Sequence, residues 1–226
     1  RRVLFRSAIN SFSEKYKNLN ISFMLTPTAT KVLEDNLPKY APNDDELSYI
    51  NTVFSGLNSN INTINPYEAL SENKDEYIFY KTDHHWTSKG AYIAYTVMCE
   101  KLGLTPNSIE NFDVVTVTDS FYGSLSSKIG IQGKKADSID IYIPKESDFI
   151  VTYVDEQKKS TSLFDNTYLD KKDKYNVFTG GNHPLINIKT LGDPNNKLLI
   201  IKDSYANCFL PFLTSHYGEI NVVDLR

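Results

Sequence analysis

Lys81-Thr82-Asp83-His84-His85-Trp86-Thr87-Ser88-Lys89-Gly90 is the stretch from which the rest of the chain can be read. It carries two of the four histidines, the sole tryptophan and a carboxylate two residues before His85. Upstream, Tyr77-Ile78-Phe79-Tyr80 is aromatic and β-branched, which predicts a strand. Downstream, Thr87 predicts an N-cap for a helix over Ser88 to Leu102, with Ala91, Ala94, Tyr95, Met98 and Leu102 at helical spacing. A polar loop between a strand and a helix is held by rigid elements on both sides, a common setting for chemistry. An Asp beside a His can orient the imidazole and stabilise its protonated form. The same letters allow a plainer reading, because Asp-x-His is common and Trp86 has the size of a core residue. In an extended segment His84 and His85 would face opposite sides, so they are not expected to share a metal ion, and no cofactor is expected.

Toward the amino terminus, Ser7 to Leu19 predicts an amphipathic helix with Ala8, Phe12, Tyr16 and Leu19 on its apolar face. Ile21 to Leu25 predicts a strand stopped by Thr26-Pro27, and helix followed by apolar strand is an α/β signature. After a Pro-containing turn over Lys39 to Asn43, Asp44 is the expected cap of a helix reaching Leu57, buried through Leu47, Ile50, Val53, Phe54 and Leu57. Ile61 to Ile64 predicts a short strand, and Pro66 suits the first turn of a helix from Tyr67 to Leu70.

Beyond Pro106 helical periodicity vanishes. Val114 to Val117 predicts a strand, Phe121 to Lys128 an irregular small-residue segment, and Ile139–Ile143, Phe149–Val154 and Thr161–Phe164 three further β runs. Residues 112 to 192 are therefore expected to form a β-rich insertion, unless some of these strands continue the main sheet.

Helical and apolar texture returns near the carboxyl end. Lys197-Leu198-Leu199-Ile200-Ile201 is continuously apolar after its first residue, the pattern of a central parallel strand buried on both faces. It runs into Lys202-Asp203-Ser204-Tyr205-Ala206-Asn207, so Ser204 falls where a strand turns into a helix. A hydroxyl there is exposed above the sheet edge, next to backbone N–H groups that can receive an oxyanion. A serine at that place can equally be a simple helix cap.

Composition sets the limits. With 226 residues and 40% hydrophobic content, the chain can bury a sizeable core as one domain. A net charge of −4 leaves no electrostatic footprint for nucleic acid. Cys99 and Cys208 show neither metal-ligand nor disulfide-framework spacing. No apolar run is long enough to span a membrane, and the chain starts without Met, so it is expected to be part of a longer protein whose anchor or export signal lies outside it.

The two ends together resemble a known family. A buried strand ending in Asp203-Ser204-Tyr205 resembles the nucleophile block of SGNH hydrolases. Asp83-His84-His85-Trp86, placed before the serine, resembles the permuted members of that superfamily, the alginate O-acetyltransferase (AlgJ/AlgX) type. Thr82 to Thr87 more closely resembles the bacterial DHHW family. The resemblance runs from Ile21 to Arg226, with Lys202 standing where the nucleophile block usually has Gly. It implies a single SGNH-like three-layer α/β/α domain over residues 8–226, with a central, mostly parallel sheet. It further implies Ser204 as nucleophile, His85 as general base and then acid, and Asp83 as the orienting carboxylate. The activity implied is that of an O-acetyltransferase or acetylesterase, working on an extracytoplasmic polysaccharide; the alternative is a non-catalytic glycan-binding or polysaccharide-assembly protein that keeps the fold with a degenerate site. A membrane-bound O-acyltransferase is the implied partner. The backbone N–H of Ser204 or Tyr205 is the first expected oxyanion donor. The wider superfamily completes that hole with a glycine and an asparagine, for which Gly123 and Asn182 are the candidates, although both also suit ordinary turns. Trp86 and Tyr205 are candidates for lining the sugar. His183 and His216 are expected to be structural.

Overall fold

The computed structural model describes residues 2–129, 135–146 and 148–226. In chain order the elements begin with α1 (Arg2–Lys15), β1 (Ile21–Met24), α2 (Ala29–Val32), α3 (Glu46–Ser55), β2 (Ile61–Ile64), α4 (Tyr67–Glu72) and α5 (Ser88–Leu102). They continue with β3 (Phe112–Phe121), α6 (Ser124–Ile129), β4 (Asp137–Pro144), β5 (Phe149–Tyr153), β6 (Lys158–Ser160), β7 (Leu185–Thr190), β8 (Lys197–Lys202) and β9 (Glu219–Asp224). Short 3₁₀ turns join several of them, including Lys174–Val177 and Ser204–Cys208.

The fold is mixed α/β, and its sheets correct one expectation. A central, mostly parallel sheet is not what forms. β1 and β2 pair in parallel by themselves, β3 and β4 form a separate antiparallel ribbon, and the five-stranded sheet has the order β6-β5-β7-β9-β8. Within it only β8 and β9 run parallel. The stretch expected as an insertion is thus divided, since β5, β6 and β7 join the sheet that carries the serine strand. β8 also departs from its expected central place. It is the edge strand, and Leu199 and Ile201 are 54% and 56% exposed on its outer face. A run of apolar letters is the same for a strand buried on both faces and one buried on a single face, because long-range partners decide.

Local signals fare better. The Thr87 hydroxyl accepts from the Gly90 N–H, and Gly103 closes α5 at a φ of 68°, a left-handed stop that glycine adopts without steric cost. Helix α3 begins one residue later than expected, with Asp45 rather than Asp44 accepting from the Ser48 N–H. Of its expected stripe, Ile50 and Val53 are buried while Leu47, Phe54 and Leu57 are half-buried. Helix α1 stops at Lys15, so Tyr16 and Leu19 are exposed rather than on a buried face. Tyr77 to Tyr80 is extended but pairs only through a bridge between Phe79 and Trp86, so it is no strand. The segment expected to be irregular contains α6, and Thr161 to Phe164 contributes only the Phe164–Phe178 bridge.

One continuous apolar core joins these parts. Ala91, Ala94, Tyr95 and Met98 of α5 meet Phe112, Phe121, Ile139 and Ile141 of the ribbon, together with Ile186, Ile188, Ile220 and Val222 of the large sheet. Trp86, Phe209 and Phe212 fill the space between. Burying an aromatic side chain there contributes about 1.5–3 kcal/mol. The Asp83 loop and the Ser204 turn are therefore anchored in the same packed interior. No helix among the described residues is long and apolar enough to cross a membrane.

Candidate active site

The loop before α5 curls back on itself. Tyr80 N–H donates to the His85 carbonyl and Thr87 N–H to the Ile78 carbonyl, closing a tight loop around residues 81–84. The Asp83 and His85 side chains are buried inside it. Asp83 Oδ1 lies 2.5 Å from His85 Nδ1 and accepts from the His85 N–H at 3.0 Å, while its Oδ2 accepts from the Ser124 N–H at 2.7 Å. Burial pushes this carboxyl up, but the hydrogen bonds from the His85 ring and the two amides, with the attraction of His85, outweigh it. The net effect holds Asp83 well below the usual carboxylate range.

A second carboxylate, which the sequence reading did not single out, fixes the loop from outside. Asp137, at the start of β4, accepts from the Tyr77 hydroxyl (2.6 Å), the Lys81 N–H (3.0 Å), the Thr82 N–H (2.7 Å) and the Thr82 hydroxyl (2.6 Å). It lies 55 residues from Thr82, and nothing in its local sequence announces the contact.

Ser204 completes the chain of contacts. Its hydroxyl is 2.9 Å from His85 Nε2, across 119 residues of sequence. An ionised carboxylate can only accept, so His85 carries its proton on Nδ1 and presents the Nε2 lone pair to the Ser204 O–H. The residue is half-buried. Asp83, His85 and Ser204 are thus brought together as expected from the sequence.

The other expected site residues divide. The Asp203 carboxylate caps the turn by accepting from the Tyr205 N–H at 2.9 Å, so that amide already has a partner. Tyr205 is half-buried beside the site, and its hydroxyl donates to the His84 carbonyl. Trp86 is 1% exposed, so it cannot line a sugar; its indole N–H donates to the Tyr205 carbonyl at 2.9 Å and its ring stacks on Phe209. It ties the histidine loop to the serine turn. Gly123 does not reach Ser204 either. Its N–H donates to the Thr82 hydroxyl, and a Cβ there would lie 2.2 Å from the Asp83 Cβ, so glycine is required by close approach to the buried carboxylate. Asn182 sits at the carboxyl end of β8, but its side-chain oxygen accepts from Lys202 at 3.3 Å and from Asn207 at 3.2 Å.

Lys202 itself, the departure from the usual Gly, folds beneath the serine turn. Its side chain is 2% exposed and its ammonium donates to Asn207 (2.6 Å) and Asp224 (3.0 Å). Burial pushes that ammonium down, and Asp224 only partly restores it. Arg226 and Lys202 together hold the Asp224 carboxyl well below its ordinary range, against the opposing effect of burial. His183 and His216 have structural partners, Glu156 and the Thr179 carbonyl for the first and the Tyr95 hydroxyl for the second.

His84 is exposed at the mouth, with Nδ1 2.6 Å from the Ser124 hydroxyl. The two adjacent histidines do not face opposite sides, which corrects the extended-chain expectation. Because the loop is bent, their rings lie 3.9 Å apart and Asp83, His84 and His85 offer ligand atoms within 4.8 Å of one another. Asp83 Oδ1 is hydrogen-bonded to His85 Nδ1, and His84 Nδ1 to the Ser124 hydroxyl.

Solved structures share this architecture. The chain is 28% identical to a DHHW family protein from Eubacterium siraeum over its full length and 76% of that chain, with a TM-score of 0.86. It is 20% identical to Bacillus cereus PatB1, solved with a sulfonyl adduct, covering 79% of that chain at a TM-score of 0.80. The O-acetyltransferase domain of Pseudomonas putida AlgJ shares the fold more distantly, at 14% identity over 99% of this chain and 68% of that one, with a TM-score of 0.55. No functionally curated protein matches the chain. A family model described as DHHW protein matches residues 6–223, and the chain belongs to the DHHW family.

Proposed function

We propose that this protein is a serine acyltransferase or esterase that moves O-acyl groups, chiefly O-acetyl, on a polysaccharide outside the cytoplasm. The observation that carries the reading is the unbroken chain from Asp83 through His85 to the Ser204 hydroxyl, at 2.5 and 2.9 Å. Likeness to the AlgJ O-acetyltransferase domain and to PatB1 with its sulfonyl adduct supports the same class of chemistry.

In this reading the Ser204 oxygen attacks the acyl carbonyl while His85 Nε2 takes the hydroxyl proton. Asp83 stabilises the imidazolium that forms. The Ser204 N–H is the backbone donor nearest the developing oxyanion. Collapse expels the donor alcohol, which leaves with the proton from His85, and an acyl-serine remains. A sugar hydroxyl, or water in an esterase, then gives its proton to His85 and attacks the ester. The acyl product departs and Ser204 recovers its hydroxyl. A membrane-bound O-acyltransferase delivering acyl groups from the cytoplasmic side is the proposed partner; co-purification from membranes tests it, and its absence from the purified complex counts against it.

The test is acetyl release from p-nitrophenyl acetate by the wild type, Ser204→Ala and His85→Ala, with an oligosaccharide acceptor followed by mass spectrometry. Both variants are expected to fall by orders of magnitude. Acetylated sugar would identify a transferase and free acetate an esterase. Equal background rates in all three proteins would refute the reading.

A further inference from the structure

We infer that Tyr175 is a positioning residue of this site, clamping the face of His85 with its ring and the backbone of Ser204 with its hydroxyl. The inference rests on the acyl-transfer reading above. Tyr175 is 3% exposed, and its ring stacks on the His85 imidazole with centroids 3.9 Å apart and planes 8° from parallel. Its hydroxyl donates to the Ser204 carbonyl at 3.1 Å, with Cys208 Sγ at 3.5 Å. One side chain therefore touches the base and the nucleophile's own peptide, and it comes from neither motif.

The segment that brings it is built for the purpose. Leu163 to Thr179 leaves and returns at one place, closed by Asp165 N–H to the Val177 carbonyl (2.8 Å) and Thr179 N–H to the Leu163 carbonyl (2.7 Å). The neck is further held by the Phe164–Phe178 bridge. At the tip, Lys174 donates to the Ser120 hydroxyl at 2.8 Å, fixing the turn against β3. Behind the ring stand Phe178 at 5.1 Å and Tyr80 edge-on at 6.2 Å. Tyr175 cannot swing away without opening this packing.

The chemistry explains why a flat aromatic ring belongs there. The hydrogen bonds to Asp83 and Ser204 hold His85 in its own plane, and its faces are left to the neighbouring rings, His84 and Tyr175, each with its centroid 3.9 Å away. A parallel ring removes the out-of-plane freedom. It also places a π face against the imidazole when that ring becomes cationic in the transition state. The hydroxyl, meanwhile, fixes the peptide from which the Ser204 side chain extends.

Tyr175→Leu and Tyr175→Phe separate the two halves of the clamp. Tyr175→Leu is expected to lower kcat about tenfold while KM stays within about twofold. It should also broaden or shift the downfield proton resonance of the Asp83–His85 hydrogen bond. Tyr175→Phe keeps the ring; it should preserve that resonance and lower kcat about fivefold through loss of the hydroxyl alone. Wild-type kcat and an unmoved resonance in folded Tyr175→Leu would overturn the inference. So would a kcat loss of equal size in both variants that follows melting temperature alone. If Tyr175→Leu does not fold, Tyr175→Phe decides, and an unchanged kcat there overturns the clamp. A wild type without Ser204-dependent activity would instead refute the acyl-transfer reading, and the resonance would still report whether Tyr175 holds His85.

Discussion

The two halves of the site are built very differently. In the Asp83–Trp86 loop every residue but His84 is buried, and partners from elsewhere in the chain converge on it. Asp137 accepts four hydrogen bonds from residues 77, 81 and 82, Ser124 donates to Asp83, and Gly123 presses against the same carboxylate. The Ser204 turn instead follows an edge strand and is half open to solvent. It is held mainly by the Asp203 cap, the Tyr175 hydroxyl and the Lys202 cluster below. Rigidity is therefore concentrated on His85, the proposed base, whose ring must be aimed, and the more open place is left to Ser204, the proposed nucleophile, which substrate must reach.

Substitutions on the loop should accordingly do more damage than those at its rim. Asp83→Asn should have the largest effect, a fall in kcat of roughly 10⁴, because the amide would favour the wrong imidazole tautomer. Steady-state kinetics beside the wild type would show it, and a loss under about tenfold would remove Asp83 from the proposed role. Trp86→Ala should come next, costing about 3–5 kcal/mol in chemical denaturation, since it empties a fully buried site and cuts the link to the Tyr205 carbonyl. A cost below about 1 kcal/mol would mean that the two halves do not depend on that tie.

Asp137→Asn keeps the shape but offers one acceptor oxygen where two are used, setting an amide against buried donors. It should destabilise by about 1–3 kcal/mol and lower kcat with little change in KM. Unchanged kinetics would show that the loop aims His85 without the outer carboxylate. Ser124→Ala should have the smallest effect, within about 1 kcal/mol, because it removes only the hydroxyl facing exposed His84 and keeps the N–H that serves Asp83. A larger cost would make the rim part of the rigid half.

What could be read in the letters follows the same division between local and distant causes. Thr87 as cap and the strands at residues 21 and 61 are set by neighbours within a few positions, and they appear where expected. Asp83, His85 and Ser204 also meet as expected, which the spacing alone would not have decided without the family resemblance. The edge position of β8 was not legible, because Leu199 and Ile201 look the same whether a partner lies beside them or not. Nor were Asp137 and Tyr175, each an ordinary residue locally, brought to the site by the ribbon and by the closed 163–179 segment. Trp86 suits either the core or a sugar face in the letters, and burial against Phe209 gives it to the core. Gly123 suits either a turn or an oxyanion donor in the letters, whereas its lack of a side chain is what the packing against Asp83 uses.

The most direct test of the central claim is to trap the intermediate. The protein would be treated with a sulfonyl fluoride, and separately with p-nitrophenyl acetate followed by acid quench, then digested and examined by mass spectrometry beside Ser204→Ala. The account predicts one adduct per chain on the peptide containing Ser204, absent from the variant and strongly slowed in His85→Ala. A wild type that stays unmodified under both reagents, or one modified equally well without Ser204, would contradict it.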